Sequence, residues 1–149
     1  MVWCGHIYNG PIRLVILPEK TSFDSKFYTH NVLPIAKEDG IRLIGNDFIY
    51  QQDGATCHTS KLSIETLKNM NFEFIGPEIW PANSPDLNPL DYFFWNEVED
   101  RLKSKNFKTK LKLIEKIEKY IAEIPLKMIR DVIDSFRSRI YALEIIREV

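Results

Sequence analysis

The stretch Phe48-Ile49-Tyr50-Gln51-Gln52-Asp53-Gly54-Ala55-Thr56-Cys57-His58-Thr59-Ser60 decides how this chain folds. Its first five residues are apolar, aromatic or amide and do not alternate cleanly, as in a short central strand covered on both faces. Asp53 closes that strand and Gly54 follows at once, so the chain turns there. In open α/β sheets ligands gather beyond the carboxyl ends of strands, where an acid is well placed to reach a metal. A plain turn aspartate beside a glycine explains the same pair without any chemistry. A helix should follow from about Ser60 with Ile64, Leu67 and Met70 inward, and Phe72 to Ile75 reads as the next strand. Strand, helix, strand is the signature of an α/β layer arrangement.

Upstream, Val2 to Tyr8 and Ile12 to Leu17 are rich in β-branched and aromatic residues and read as strands joined at Asn9-Gly10, a strong hairpin signal. Pro18 stops the second of them. Phe23 to about Asp39 is expected to be helical, started near Ser22 or Asp24, with Pro34 as a kink or early end. Downstream, Trp80 to Asn88 must be a loop, because Pro81, Pro85 and Pro89 punctuate it. Helices then run to the end. Ile114, Ile117 and Ile121 mark one inward stripe; Ile129, Val132, Ile133, Phe136 and Ile140 mark another after Pro125. No internal repeat or low-complexity linker divides the chain.

Asp91 opens the first of these helices. Asn88 suits the N-cap, Pro89 the first helical position and Asp91 the first turn, where the helix dipole favours a carboxylate with no catalytic role. The helix buries a stripe of Leu90, Phe94, Val98 and Leu102. Asp91 falls on the shoulder of that stripe, a position expected to lie beside the sheet, from which it could reach a metal together with Asp53. Asp86, inside the Pro-rich loop, is better explained as a turn residue. Trp80 reads as core more readily than as a base-stacking residue.

The chain has 149 residues, 44% of them hydrophobic and 28% charged, which is the composition of a globular domain able to bury a core. Its longest early aliphatic run, Leu14 to Leu17, is far short of a membrane span, and no secretory signal is visible. The net charge of −1 says nothing of a nucleic-acid partner, but its distribution does. Five acids and no base occupy Asp86 to Asp100. Eight bases (Arg101, Lys103, Lys105, Lys108, Lys110, Lys112, Lys116, Lys119) against two acids then occupy Arg101 to Lys119. An acidic patch beside a basic strip suits a metal beside a phosphate backbone, and a solvated helix surface suits the lysines equally well. Cys4 and Cys57 read as reduced core residues. With His6 and His58 they lack the spacing of a zinc finger.

Two segments raise a family resemblance. Gln51 to Ser60 resembles the segment around the second catalytic acid of mariner-type DNA transposases (the Tc/mariner superfamily). Trp80-Pro81-Ala82-Asn83-Ser84-Pro85-Asp86-Leu87-Asn88-Pro89-Leu90-Asp91 resembles the segment that ends in the third. The 37 residues between Asp53 and Asp91 suit the all-aspartate branch. Met1 to Gly5 and Asn9-Gly10 are similar to the family's second strand and turn.

The resemblance implies an α/β, ribonuclease H-like mixed sheet with flanking helices, spanning residues 1–106. A helical C-terminal extension, residues 107–149, would pack on the same domain. It implies cut-and-paste transposition: strand cleavage and strand transfer on DNA, with Mg²⁺ or Mn²⁺ held by Asp53 and Asp91. His58 matches the motif histidine, which would support the metal or contact DNA. A histidine hydrogen-bonded near the start of the next helix is the plain alternative. Arg101, Lys103, Lys105, Lys108, Lys110 and Lys112 would meet DNA. The partners implied are transposon ends and target DNA, with room for a homodimer; a nuclear location follows from that substrate.

The family has three catalytic carboxylates, and the first should end a strand just before Met1. Asp24, Asp39 and Asp47 do not replace it convincingly. That strand is the first and central one of the implied sheet, so this chain is expected to lack it, to be inactive alone and to be less stable than a whole domain. The alternative is a non-catalytic DNA- or protein-binding module of transposase descent.

Overall fold

The computed structural model describes residues 1–103 and 105–147, with side chains through residue 142. The chain divides into two compact units, one formed by Met1–Ile7 and Ile12–Asn83, the other by Tyr8–Pro11 and Ser84–Val149.

The first unit carries the strand ladders expected near Asp53. β1 (Val2–Trp3) pairs antiparallel with β4 (Val15–Ile16), Val2 opposite Ile16. β2 (His6–Ile7) and β3 (Gly10–Pro11) flank a turn at Tyr8–Asn9. The long strands expected over residues 2–8 and 12–17 are thus broken into short pieces. The break falls at Gly5, whose carbonyl accepts the Ile12 N–H at 2.8 Å. A Cβ on Gly5 would lie 2.7 Å from the Ile12 side chain, so the two backbones meet closely there.

β5 (Ile49–Tyr50) pairs parallel with β6 (Glu73–Phe74), and Ile75 N–H extends the ladder to the Tyr50 carbonyl at 3.0 Å. A parallel pair needs a crossover. It is made by α3 (Thr56–Thr59) and α4 (Lys61–Asn69), with Ser60 capping α4 through its hydroxyl to the Ser63 N–H. Asn71, at φ 52°, turns the chain out of α4 while Phe72 N–H closes on the Leu67 carbonyl. Among the described residues no strand joins the β1–β4 ladder to the β5–β6 ladder.

Between them lies a helical run longer than Phe23–Asp39. Asp24 caps α1 (Ser25–Phe27), a π turn follows at Tyr28–Val32, and α2 (Leu33–Ile44) completes it. Pro34 does not end the helix. The wide turn just before it, in which Leu33 N–H reaches back to the Tyr28 carbonyl, accommodates the residue that lacks a donor. Tyr28, Val32, Leu33 and Ala36 from this run meet Ile12, Val15, Tyr50, Leu67 and Phe72 in the core of the unit. Asp39 is a fully buried member of α2. Burial opposes its charge, but the Arg13 N–H, the Arg13 guanidinium and Arg42 outweigh that and hold its carboxyl below the usual range.

The second unit is helical. A π turn at Leu90–Phe94 leads into α5 (Trp95–Leu102), followed by α6 (Lys110–Ala122) and α7 (Leu126–Arg147). Phe94, Ile124 and Ile129 form its core, with Leu90, Met128, Val132 and Ile133 packed around them; Ile129, Val132 and Ile133 come from the stripe expected after Pro125. Tyr92 donates to the Val132 carbonyl at 2.7 Å, and the Arg139 guanidinium lies over the Tyr92 ring at 3.7 Å.

Candidate metal centre

Asp53 lies just past the carboxyl end of β5, in the turn before α3. Both of its hydrogen bonds fall on one oxygen. His58 Nδ1 lies 2.6 Å from Oδ1, and the Ala55 N–H donates to it at 3.0 Å. Oδ2 takes none among the described residues. The side chain is 42% exposed. The His58 hydrogen bond holds the carboxyl below its ordinary range; partial burial opposes this and the Ala55 N–H adds to it.

An ionised carboxylate can only accept, so the short contact assigns the imidazole proton to Nδ1. The His58 ring packs on Tyr28, centroid to centroid 4.4 Å, and meets Phe23 edge-on at 6.4 Å. Its other nitrogen, Nε2, is buried and has no hydrogen-bond partner. The ring therefore points Nδ1 at Asp53 and places Nε2 in an aromatic pocket.

Asp91 is exposed, not sheltered on the shoulder of its helix as its spacing suggests. It sits in the π turn, a geometry often found at functional positions. Asn88 serves it twice. The Asn88 amide donates to Asp91 Oδ2 at 2.9 Å, and Asn88 Oδ1 accepts the Leu90 N–H at 3.2 Å. Asn96 donates to the Asp91 carbonyl at 3.2 Å. The expected cap at Asn88 is present, and its side chain also holds the carboxylate, which cap reasoning does not anticipate.

The other acids have tasks of their own: Asp24 caps α1, Asp39 anchors Arg13 and Arg42, and the Asp86 carbonyl accepts from Arg139. Among the described residues no three His, Cys, Asp or Glu side chains gather closely enough to hold an ion together. What Asp53 offers is a hard, ionised, partly exposed oxygen with its neighbour already fixed, which suits Mg²⁺ or Mn²⁺.

The basic strip is uneven. Arg101 pairs with Glu97 at 2.7 Å, Lys103 with Asp100 at 2.8 Å and Lys119 with Glu123 at 3.5 Å, while Lys105 is bonded to the Tyr120 hydroxyl. Lys108, Lys110 and Lys112 are exposed around the start of α6. No helix of the described residues is long and apolar enough to cross a membrane. Sequence reasoning passed over Tyr28, Tyr50 and Gln52, which underlie His58. Their only signal was an amide buried beside an acid at a strand end.

A parallel strand pair joined by helices, with a braced acid beyond the first strand's carboxyl end, is an α/β arrangement of the ribonuclease H-like kind. No protein-family model matches the chain. The transposase of transposable element Tc3 from Caenorhabditis elegans is 31% identical over 149 residues, covering 99% of this chain and 43% of the relative. The Tc1 transposase of the same organism is 28% identical over 138 residues, 90% of this chain and 46% of the relative. The catalytic domain of Mos1 mariner transposase superposes with a TM-score of 0.78 over 93% of this chain and 69% of that chain, at 19% identity. The Mos1 paired-end complex with Mn gives 0.80 over 93% of this chain and 40% of that chain, at 20% identity. Over nearly its whole length the chain is similar to Tc1-type transposases, and its fold is that of the catalytic domain of Mos1 mariner transposase. It spans between 34% and 50% of the length of the curated relatives it matches.

Proposed function

We propose that this chain serves cut-and-paste DNA transposition, with Asp53 and Asp91 as carboxylate ligands for Mg²⁺ or Mn²⁺ and with DNA as the partner. The state of Asp53 carries this reading: ionised, half-exposed, one oxygen pinned by His58 and Ala55 and the other open. The solved Mos1 complex with paired ends and Mn supports both the metal and the DNA partner. Bound metal would activate the attacking oxygen and stabilise the leaving one in strand cleavage and joining. The chain's own residues bind and orient: His58 fixes the Asp53 carboxylate, Asn88 fixes that of Asp91, and Lys108, Lys110 and Lys112 take up phosphate charge. A nuclear location follows from a chromosomal substrate.

Adding Mn²⁺ to the isotope-labelled 149-residue chain should broaden the amide signals of Gly54, Ala55 and neighbouring residues, and Asp53→Asn should abolish the effect. Unbroadened signals in the wild type overturn the metal reading. With no group of three ligands among the described residues, this chain alone should nick DNA poorly. Robust Mg²⁺-dependent cleavage by it overturns that expectation. The same lack of a trio, with lysines exposed at α6, favours a second reading: a DNA-binding module without catalysis. Salt-dependent DNA binding that survives Asp53→Ala and Asp91→Ala, without Mn²⁺ binding, would establish it.

A further inference from the structure

A buried polar path lies under Asp53 and leads away from it into the core. Gln52, 7% exposed, donates its side-chain N–H to the His58 backbone carbonyl at 3.1 Å. Its Oε1 accepts from the Tyr28 hydroxyl at 2.6 Å, and Tyr28 in turn lies 2.9 Å from the Tyr50 hydroxyl. The proton order is fixed throughout. Gln52 must present its amide nitrogen to a carbonyl, so its oxygen faces Tyr28; Tyr28 spends its one proton there and accepts from Tyr50. Tyr28 is fully buried, and its ring is also the surface on which the His58 imidazole rests.

Tyr28 thus grips His58 twice, through ring contact on the imidazole and through Gln52 on its backbone. Among the described residues nothing else orients the imidazole by hydrogen bonding, since Nε2 has no partner there and Nδ1 is spent on Asp53. Apolar side chains could fill the same volume. A fully satisfied polar network specifies one geometry where apolar packing tolerates several.

We propose that Gln52 and Tyr28 are positioning residues that aim the Asp53 carboxylate by fixing His58; this rests on the reading of Asp53 as a metal ligand. The Gln52→Glu variant keeps side-chain length and an acceptor for Tyr28 but, when ionised, cannot donate to the His58 carbonyl. The Tyr28→Phe variant keeps the ring under the imidazole and removes only the hydroxyl, which guards against a fold too damaged to read.

The chain has only three histidines, so imidazole ¹⁵N–¹H spectra of the whole chain resolve His58. The wild type should show a single tautomer, protonated at Nδ1, with a low-field proton that Asp53→Ala removes. Both positioning variants should lose that signal or mix tautomers while retaining helical circular dichroism, and should weaken Mn²⁺ binding about tenfold. A merely structural role would lower stability and leave the ring signal in place. Wild-type ring signals in both Gln52→Glu and Tyr28→Phe, with the signal lost in Asp53→Ala, overturn the proposal. If the wild type binds no Mn²⁺, the metal reading fails, and the ring signal still decides whether Gln52 and Tyr28 set the carboxylate.

Discussion

Asp53 and Asp91 both stand beside the start of a helix, and each has a neighbouring side chain holding one carboxylate oxygen. The supports differ in reach. The path under Asp53 runs from part-buried His58 through buried Gln52 to buried Tyr28, 24 residues from Gln52 in sequence. The hydrogen bonds that Asn88 and Asn96 make around Asp91 span no more than five residues and are exposed or half-buried. The support of one carboxylate forms only once its tertiary unit has folded; the Asn88 contact of the other is local to its helix start. A substitution beneath Asp53 should therefore cost both stability and geometry, whereas one beside Asp91 should cost little of either.

The largest effect should come from Tyr28→Ala, which removes a fully buried ring from the core of the first unit along with its hydroxyl. A loss of about 3–5 kcal/mol is expected from urea unfolding. A loss below about 1 kcal/mol would mean that the aromatic floor under His58 is not part of the cooperative core. Gln52→Ala is expected to cost about 1–3 kcal/mol by the same measurement, because the Tyr28 hydroxyl and the His58 carbonyl each lose a buried partner.

Asp53 also predicts a pH effect. Its folded carboxyl is held below the ordinary value, so its contribution is present above the unfolded value of about 4 and is lost as pH falls through the lower folded value. The stability gap between wild type and Asp53→Asn should therefore be constant near neutrality and shrink below about pH 4. A gap that widens on acidification would show that the His58 contact does not favour the charged form.

These contrasts also mark how far the sequence could be read. The β5–α4–β6 crossover and the cap at Asn88 are local patterns, written in adjacent residues, and both are present where expected. Asp53 and His58 stood out because they are five apart in one motif, and they are bonded. Tyr28 could not be found that way: it reaches Gln52 only across the core, and an aromatic residue in an amphipathic helix reads simply as packing. Helix periodicity gave Asp91 a sheltered position because it assumes regular turns. A π turn at Leu90–Phe94 departs from that spacing, and Asp91 is exposed. Pro34 misled in the other direction, since the π turn before it lets the helix continue to Ile44.

The smallest effects should fall at the second carboxylate. Asn88→Ala removes the acceptor for the Leu90 N–H and the amide that holds Asp91, and should cost about 1 kcal/mol, as loss of a helix cap usually does. Asp91→Asn keeps the side chain's size and leaves an acceptor for Asn88, so its cost should be within about 0.5 kcal/mol. In a double-mutant cycle the two should couple by no more than about 0.5 kcal/mol, because the contact is exposed and water replaces it readily. Hydrogen exchange should speed up at Leu90 and Asp91 in Asn88→Ala and leave the amides of α7 unchanged. A coupling of 2 kcal/mol or more, well beyond the roughly 0.5 kcal/mol expected of exposed pairs, would break the contrast. Asp91 would then be held as firmly as Asp53, by contacts beyond its own helix start.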